Sequence, residues 1–210
     1  MIICCYTQIN HQWSEQELAD KLALLPEKLR QEALRKRQWI DRQLSVSGKL
    51  LLMEFLKKFE SQLSLSNLKY NTYYRPYFDS GPDFNIAHSG NLVVCCGVDN
   101  GKIGIDVEEI KEISLDHYID YFTLNEWDKI NNYANRYDGF YDFWTRKEAV
   151  LKAIGTGFHT PLSSVDVTED KVSYDDIVYH IQAFNINKDY KCHIATNISP
   201  ENIQLIHVNV

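Results

Sequence analysis

With 210 residues, 44% of them apolar, the chain is long enough for one large domain or two small ones with a proper core, and too apolar to be disordered. A formal net charge of −7 argues against general affinity for nucleic acid. No apolar run approaches the ~20 residues that a membrane-spanning helix needs.

The chain opens with Met1-Ile2-Ile3-Cys4-Cys5-Tyr6, which lacks a basic leader and reads as a first strand. The cysteines at 4, 5, 95, 96 and 192 are odd in number, form no Cys-x-x-Cys, and lie in apolar runs. They are expected to be reduced core residues of a cytoplasmic protein. Ser14 to Glu17 is a capping box for a short helix through Leu18, Leu22 and Leu25. Pro26 stops that helix and begins a basic one, in which Lys28, Arg30, Arg35, Lys36, Arg37 and Arg42 outnumber Glu32 and Asp41. From Leu44 the series Leu51, Leu52, Phe55, Leu56, Phe59 keeps helical spacing and should bury one face.

The middle of the chain reads as β. A short strand at 84–87 breaks at His88-Ser89-Gly90-Asn91, and the apolar run 92–98 suits a central strand. Asn100-Gly101 favours a tight hairpin into a half-buried strand, where Ile103, Ile105 and Val107 alternate with Gly104, Asp106 and Glu108. Helices return from about 124 to 154 and end at Gly155. Further strands are expected near 165–167, 177–184, 190–195 and 204–208. The fold class is therefore α+β, with residues 1–101 and 102–210 each forming helices packed on an antiparallel sheet.

Several residues are equipped for chemistry. Asp106 and Glu108 project from one face of a strand, with Cα atoms about 6–7 Å apart at ~3.3 Å rise per residue. Two carboxylates so placed repel each other unless a hard divalent ion lies between them. Alone, such a pair is more often an ordinary solvated face. Trp144, Glu148 and Lys152 recur at i, i+4 and i+8, so Glu148 can join them from a helix beside Lys147 and Lys152. A surface ion pair between Glu148 and Lys152 is the plainer alternative. The turn after 87 offers backbone N–H groups and His88 to an anion, or is simply a hairpin turn. Arg75-Pro76 sets a guanidinium, suited to phosphate, on a stiffened backbone.

Three stretches in this order resemble one family: Phe84-Asn85-Ile86-Ala87-His88-Ser89-Gly90, Gly104-Ile105-Asp106-Val107-Glu108, and Phe143-Trp144-Thr145-Arg146-Lys147-Glu148-Ala149-Val150-Leu151-Lys152-Ala153-Ile154-Gly155. They are similar to the 4′-phosphopantetheinyl transferases of the surfactin-synthetase-activating type. Gly157, Pro161-Leu162 and Arg75-Pro76 fit as well, and the likeness runs from about Pro26 to Val167. The Trp-x-x-Lys-Glu block with its downstream lysine is its specific part.

The resemblance implies a pseudo-dimer of two similar halves with the active site in the cleft between them. It implies transfer of the phosphopantetheine arm of coenzyme A to a serine of an apo acyl or peptidyl carrier protein, releasing adenosine 3′,5′-bisphosphate. It implies that Asp106, Glu108 and Glu148 ligate Mg²⁺, with Mn²⁺ as the alternative. Glu148 would also be the base and Lys152 would assist the leaving phosphate. Lys28, Arg42, Arg75, His88, Ser89, Lys147 and Lys152 would hold the coenzyme's phosphates, with Arg35, Lys36 and Arg37 competing with Arg42 for the 3′-phosphate. Arg75 departs from the family's usual lysine. A monomer is expected, since one chain supplies both walls of the cleft. A metal-dependent phosphohydrolase and a non-catalytic carrier-binding scaffold are the alternative functions.

Overall fold

The computed structural model describes residues 1–59 and 61–210. Strand β1 (Ile2–Gln8) is followed by α1 (Glu15–Ala23), whose capping box joins Ser14 and Glu17 as the sequence predicts. The basic segment is two helices rather than one. α2 (Glu27–Leu34) ends at Arg35, and α3 (Trp39–Lys58) begins after Gln38, which is extended. Leu44, Leu51, Leu52, Phe55 and Leu56 are buried along α3. A small ladder of β2 (Lys69–Tyr70) and β3 (Pro76–Tyr77) leads to β4 (Asp83–Ser89) and β5 (Leu92–Val98).

β4 runs through His88 and Ser89, so these residues sit in the strand and not in the turn expected from sequence. The turn is Gly90-Asn91, with Ser89 paired to Leu92. Gly90 has φ +55°, the sign that the first position of a type II′ turn requires. A Cβ at Gly90 would also fall 2.1 Å from the Glu109 carboxylate.

β5 does not form the expected hairpin with β6 (Ile103–Glu109). Asn100-Gly101 instead carries the chain from one sheet to the other, with Gly101 at φ +121° and Asn197 Oδ1 accepting the Lys102 amide at 2.6 Å. The second half then holds α4 (Leu124–Asn131), α5 (Arg136–Ile154), β7 (Lys171–Tyr174), β8 (Ile177–Ala183), β9 (Tyr190–Thr196) and β10 (Ile203–His207). Gly155 closes α5 in the left-handed conformation. The expected strand at 165–167 is absent because its backbone is bonded to side chains: Glu126 takes the Val167 amide and Lys147 donates to the Val165 carbonyl.

Two four-stranded sheets result, ordered β10-β1-β5-β4 and β6-β9-β8-β7. The last strand, assigned from sequence to the second half, joins the first sheet parallel to β1. Local pattern cannot announce such a pairing, because the partners lie at opposite ends of the chain. One core cluster lies between α1–α3 and the first sheet, a second between α5 and the second sheet. A third, with Ile2, Cys4, Val94, Ile105, Val107 and Ile194, fills the space between the sheets. The structure is α+β with two helix-on-sheet halves in one chain.

One cysteine expectation is corrected. Cys4 and Cys96 face each other across β1 and β5 and are joined by a disulfide. The neighbouring facing pair, Cys5 and Cys95, is buried and free, as is Cys192. Direct cross-strand facing, invisible in sequence spacing, makes that bond geometrically available.

The halves meet at β4 and β6, which form no backbone ladder with each other. Side chains of β4 do that work instead. Asp83 Oδ2, Asn85 Oδ1 and Ser89 Oγ accept the amides of Ile103, Ile105 and Glu109 at 2.9, 3.1 and 3.1 Å. Alternate residues of one strand thus satisfy an otherwise orphaned edge. The strands are held a side chain apart, and this sets the cleft between the halves.

Candidate active site

The second wall of that cleft is built by Gly104. A Cβ there would lie 2.1 Å from the Ala149 carbonyl oxygen and 2.4 Å from the Ala153 amide nitrogen. Only glycine lets the α5 backbone lie directly on β6. The two contact points, 149 and 153, each follow by one position a residue singled out from sequence, Glu148 and Lys152. The close crossing therefore brings Glu148 and Lys152 over the strand beside Asp106 and Glu108, which share the Gly104 face.

Asp106 is 4% exposed, and its Oδ1 accepts a hydrogen bond from Lys152 Nζ at 2.5 Å. Its Oδ2 is buried and has no hydrogen-bond partner. Burial raises the Asp106 pKa, opposed by the Lys152 charge. Glu108 is half-buried and bonded to Ser89 Oγ at 2.5 Å. Its pKa is pushed up to about 7, by burial first and then by the charge of Asp106. Burial also raises Glu148, with Lys152 opposing and Asp106 reinforcing. Burial works against the Lys152 ammonium, but Asp106 and then Glu148 and Glu108 outweigh it and raise its pKa.

Three crowded carboxylates and a buried oxygen without a donor are what a hard cation would relieve. The donor set therefore fits Mg²⁺. Among the described residues no three acidic, histidine or cysteine side chains already converge on one point.

Beside this cluster a cavity of about 300 Å³ lies between α3 and the edge formed by β3 and β4. Its walls include Lys36, Asp41, Ser45, Lys49, Tyr70 and His88. The surrounding protein, then the nearby Lys152 charge, lowers the His88 pKa. Lys49 is half-buried, and its pKa is lowered chiefly by burial. Lys49 was not among the residues expected from sequence. Helical spacing from Leu44 places it beside apolar positions, and only the cavity wall that it shares with Lys36 and His88 makes it a candidate.

The other expected residues divide. His88 lines the cavity, and Ser89 holds Glu108 and the Glu109 amide. Lys28 is exposed, with Nζ 5.2 Å from the centroid of the Tyr70 ring at the outer wall. Arg42 is not on the cavity wall; it donates to the Lys36 carbonyl at 3.0 Å, and its Nε is buried without a partner.

Arg75 is committed elsewhere. It forks onto both oxygens of Asp83 at 2.9 and 2.8 Å and also reaches the carbonyls of Phe84, Ile103 and Lys152. It clamps the two halves together, which leaves it little to offer a phosphate.

Lys147 is the clearest correction. It is 0% exposed, pairs with Glu126 at 2.8 Å, and donates to the carbonyls of Leu162 and Val165 at 2.9 and 2.5 Å. One residue along a helix turns the side chain by about 100°. That rotation takes Lys147 out of the cleft that its neighbour Glu148 enters.

Comparison with known proteins gives a consistent picture. A family model described as "4'-phosphopantetheinyl transferase superfamily" matches residues 102–198. The chain is 33% identical over 141 residues to 4'-phosphopantetheinyl transferase gsp of Aneurinibacillus migulanus, covering 64% of this chain and 57% of that protein. It is 30% identical over 181 residues to 4'-phosphopantetheinyl transferase Sfp of Bacillus subtilis (strain 168), covering 79% of this chain and 80% of that protein. The chain thus spans from just over half to four-fifths of these two relatives. Among solved structures, holo-[acyl-carrier-protein] synthase of Thermotoga maritima matches with a TM-score of 0.36 at 16% identity, over 45% of this chain and 61% of that one, a likeness too slight to argue from.

Proposed function

Because the chain belongs to the 4′-phosphopantetheinyl transferase family, we propose that it transfers the phosphopantetheine arm of coenzyme A to a serine of an apo acyl or peptidyl carrier protein. The observation that carries this reading is the meeting of Asp106, Glu108, Glu148 and Lys152 at the junction of the halves, beside a cavity whose wall carries Lys36, Lys49 and His88.

In this reading the nucleotide end of coenzyme A occupies the cavity against Tyr70. His88, Lys36 and Lys49 meet its phosphates, and Lys28 closes the outer wall. Asp106, Glu108 and Glu148 would hold Mg²⁺ or Mn²⁺, which when bound neutralises charge on the pyrophosphate. Lys152 reaches the same group from α5 and meets the charge that develops on the departing phosphate. The carrier's serine Oγ forms a bond to the pantetheine phosphorus. The bridging P–O bond breaks, and adenosine 3′,5′-bisphosphate leaves with the electron pair. The serine proton passes to Glu148, whose burial raises its affinity for a proton.

Among the described residues no helix is long and apolar enough to cross a membrane. A monomer suits a substrate cleft completed within one chain. The relatives named above are transferases, and no feature of the site favours a phosphohydrolase or an inert scaffold over them.

Glu148→Gln keeps the size of the side chain while removing its charge and basicity. It should reduce transfer of labelled pantetheine to an apo carrier by at least about 100-fold, the scale of a lost acid–base group, with an unchanged circular dichroism spectrum. Wild-type turnover in this variant would remove the role given to Glu148.

A further inference from the structure

We propose that Lys152 guards the Asp106 carboxylate, so that a divalent ion binds tightly only together with coenzyme A. The inference rests on the transferase reading above and adds an order of binding to it.

Asp106 and Lys152 are unequal partners. The Asp106 side chain is 5% exposed and fixed on β6, whereas the Lys152 side chain is 29% exposed on a flexible four-carbon stem. The backbone under that stem is pinned, since Arg75 Nε donates to the Lys152 carbonyl at 3.1 Å while Arg75 also grips Asp83. Only the end of the lysine is free to move.

A metal ion taking Asp106 as ligand would stand within a few ångströms of the ammonium that now touches Oδ1. Two unscreened cations in a buried site repel strongly, so the ammonium must withdraw. It needs another anion to go to. The acids whose charges reach it, Glu148 and Glu108, are those the same ion would claim. His88, the neighbour on the cavity side, carries no negative charge in either protonation state and cannot replace the carboxylate. The replacement anion must come with the substrate, and the pyrophosphate of coenzyme A carries it. Metal and coenzyme then strengthen each other's binding, and part of that coupling runs through Lys152.

Mn²⁺ binding followed by electron paramagnetic resonance tests this without turnover. Wild-type protein, Lys152→Met and Lys152→Gln would be titrated with Mn²⁺ alone and then with coenzyme A present. Circular dichroism checks each fold, and the glutamine variant serves if the methionine one does not fold. We expect the wild type to bind Mn²⁺ weakly alone and the variants at least about tenfold more tightly, with the gain from coenzyme A shrinking in proportion. Equal or weaker Mn²⁺ binding by the folded variants alone would overturn the guarding role. Failure of every form, wild type included, to bind Mn²⁺ even with coenzyme A would overturn that role together with the carboxylate metal site beneath it.

Discussion

Asp106 and Lys147 are both buried charges on or beside α5, yet their settings are opposite. Lys147 has every donor matched, by the Glu126 carboxylate and the Leu162 and Val165 carbonyls. Asp106 keeps one oxygen without a partner. A saturated buried pair holds structure, and an unsaturated one is available for chemistry. Lys147→Met should therefore cost about 3–5 kcal/mol in urea denaturation, the scale of a broken buried pair. Coenzyme A KM in the folded fraction should stay within about twofold. A large rise in KM with normal stability would return Lys147 to the binding site.

His193 supplies a pH prediction at the same scale. It is almost fully buried on β9, with Nδ1 2.8 Å from Thr145 Oγ1. Thr145 also bonds the Tyr141 carbonyl at 2.7 Å. With its single proton spent there, the hydroxyl accepts from a neutral Nδ1–H imidazole. Burial, then the charges of Arg146 and Lys191, drops the His193 pKa from 6.5 to about 3. The unfolded chain binds this proton below 6.5 and the folded one does not until about 3. The contribution to stability is thus complete above 6.5 and is lost as pH falls toward 3, with a slope approaching about 1.4 kcal/mol per pH unit. Denaturation midpoints measured between pH 7 and 4 should fall more steeply for the wild type than for His193→Gln. Equal slopes would mean that His193 is protonated in the native state.

At the scale of elements, the crossing of α5 over β6 decides whether a site exists. The sequence shows the helix, the strand and the spacing of Trp144, Glu148 and Lys152. It shows Gly104 only as one alternating position, and the reason for glycine emerges once the Ala149 and Ala153 backbones are seen against it. Gly104→Ala must push the helix off the strand, because the three atoms it would strike, in Ala149, Lys152 and Ala153, are all backbone. We expect transfer to fall by at least about 100-fold, as displacements near 1 Å do in sites that depend on orientation. Stability should fall by about 1–3 kcal/mol in the same variant, as over-packing does. Near wild-type activity would show that the crossing is not tight.

The elements that the sequence does not reveal share a physical cause: their partners are distant. Nothing within a few residues of Arg75 says that its guanidinium will fork onto Asp83 and bridge to Ile103 and Lys152. Nothing near 203–207 says that this strand will lie parallel to β1. The Asn100-Gly101 pair has the chemistry of a hairpin but serves as a crossover, because β1 and β4 already flank β5. Local signals did hold where the determinant is local, as in the Ser14 capping box and the Gly155 helix stop.

At the scale of the whole molecule, the two halves are joined by side chains at the seam, and the catalytic candidates straddle it. His88 and Ser89 come from β4, Asp106 and Glu108 from β6, and Glu148 and Lys152 from α5. Asp83, Asn85 and Ser89 bond the β6 amides, and Arg75 bridges both halves. The cleft is a consequence of that spacing, and one chain supplies both its walls. Two of the three sequence blocks made the candidate carboxylates legible because each carboxylate lies on a regular element, β6 or α5. The cavity cations were less so, because they gather from the α2–α3 connection, α3 and β4 only after folding.

The most direct test of the central claim is mass spectrometry of a panel of apo carrier proteins after incubation with the enzyme, coenzyme A and Mg²⁺. The account predicts that at least one carrier gains a single phosphopantetheine on serine, with an equal amount of adenosine 3′,5′-bisphosphate released, and that chelating the metal stops both. Cleavage of coenzyme A at the same rate without any carrier, and with no carrier modified, would contradict it.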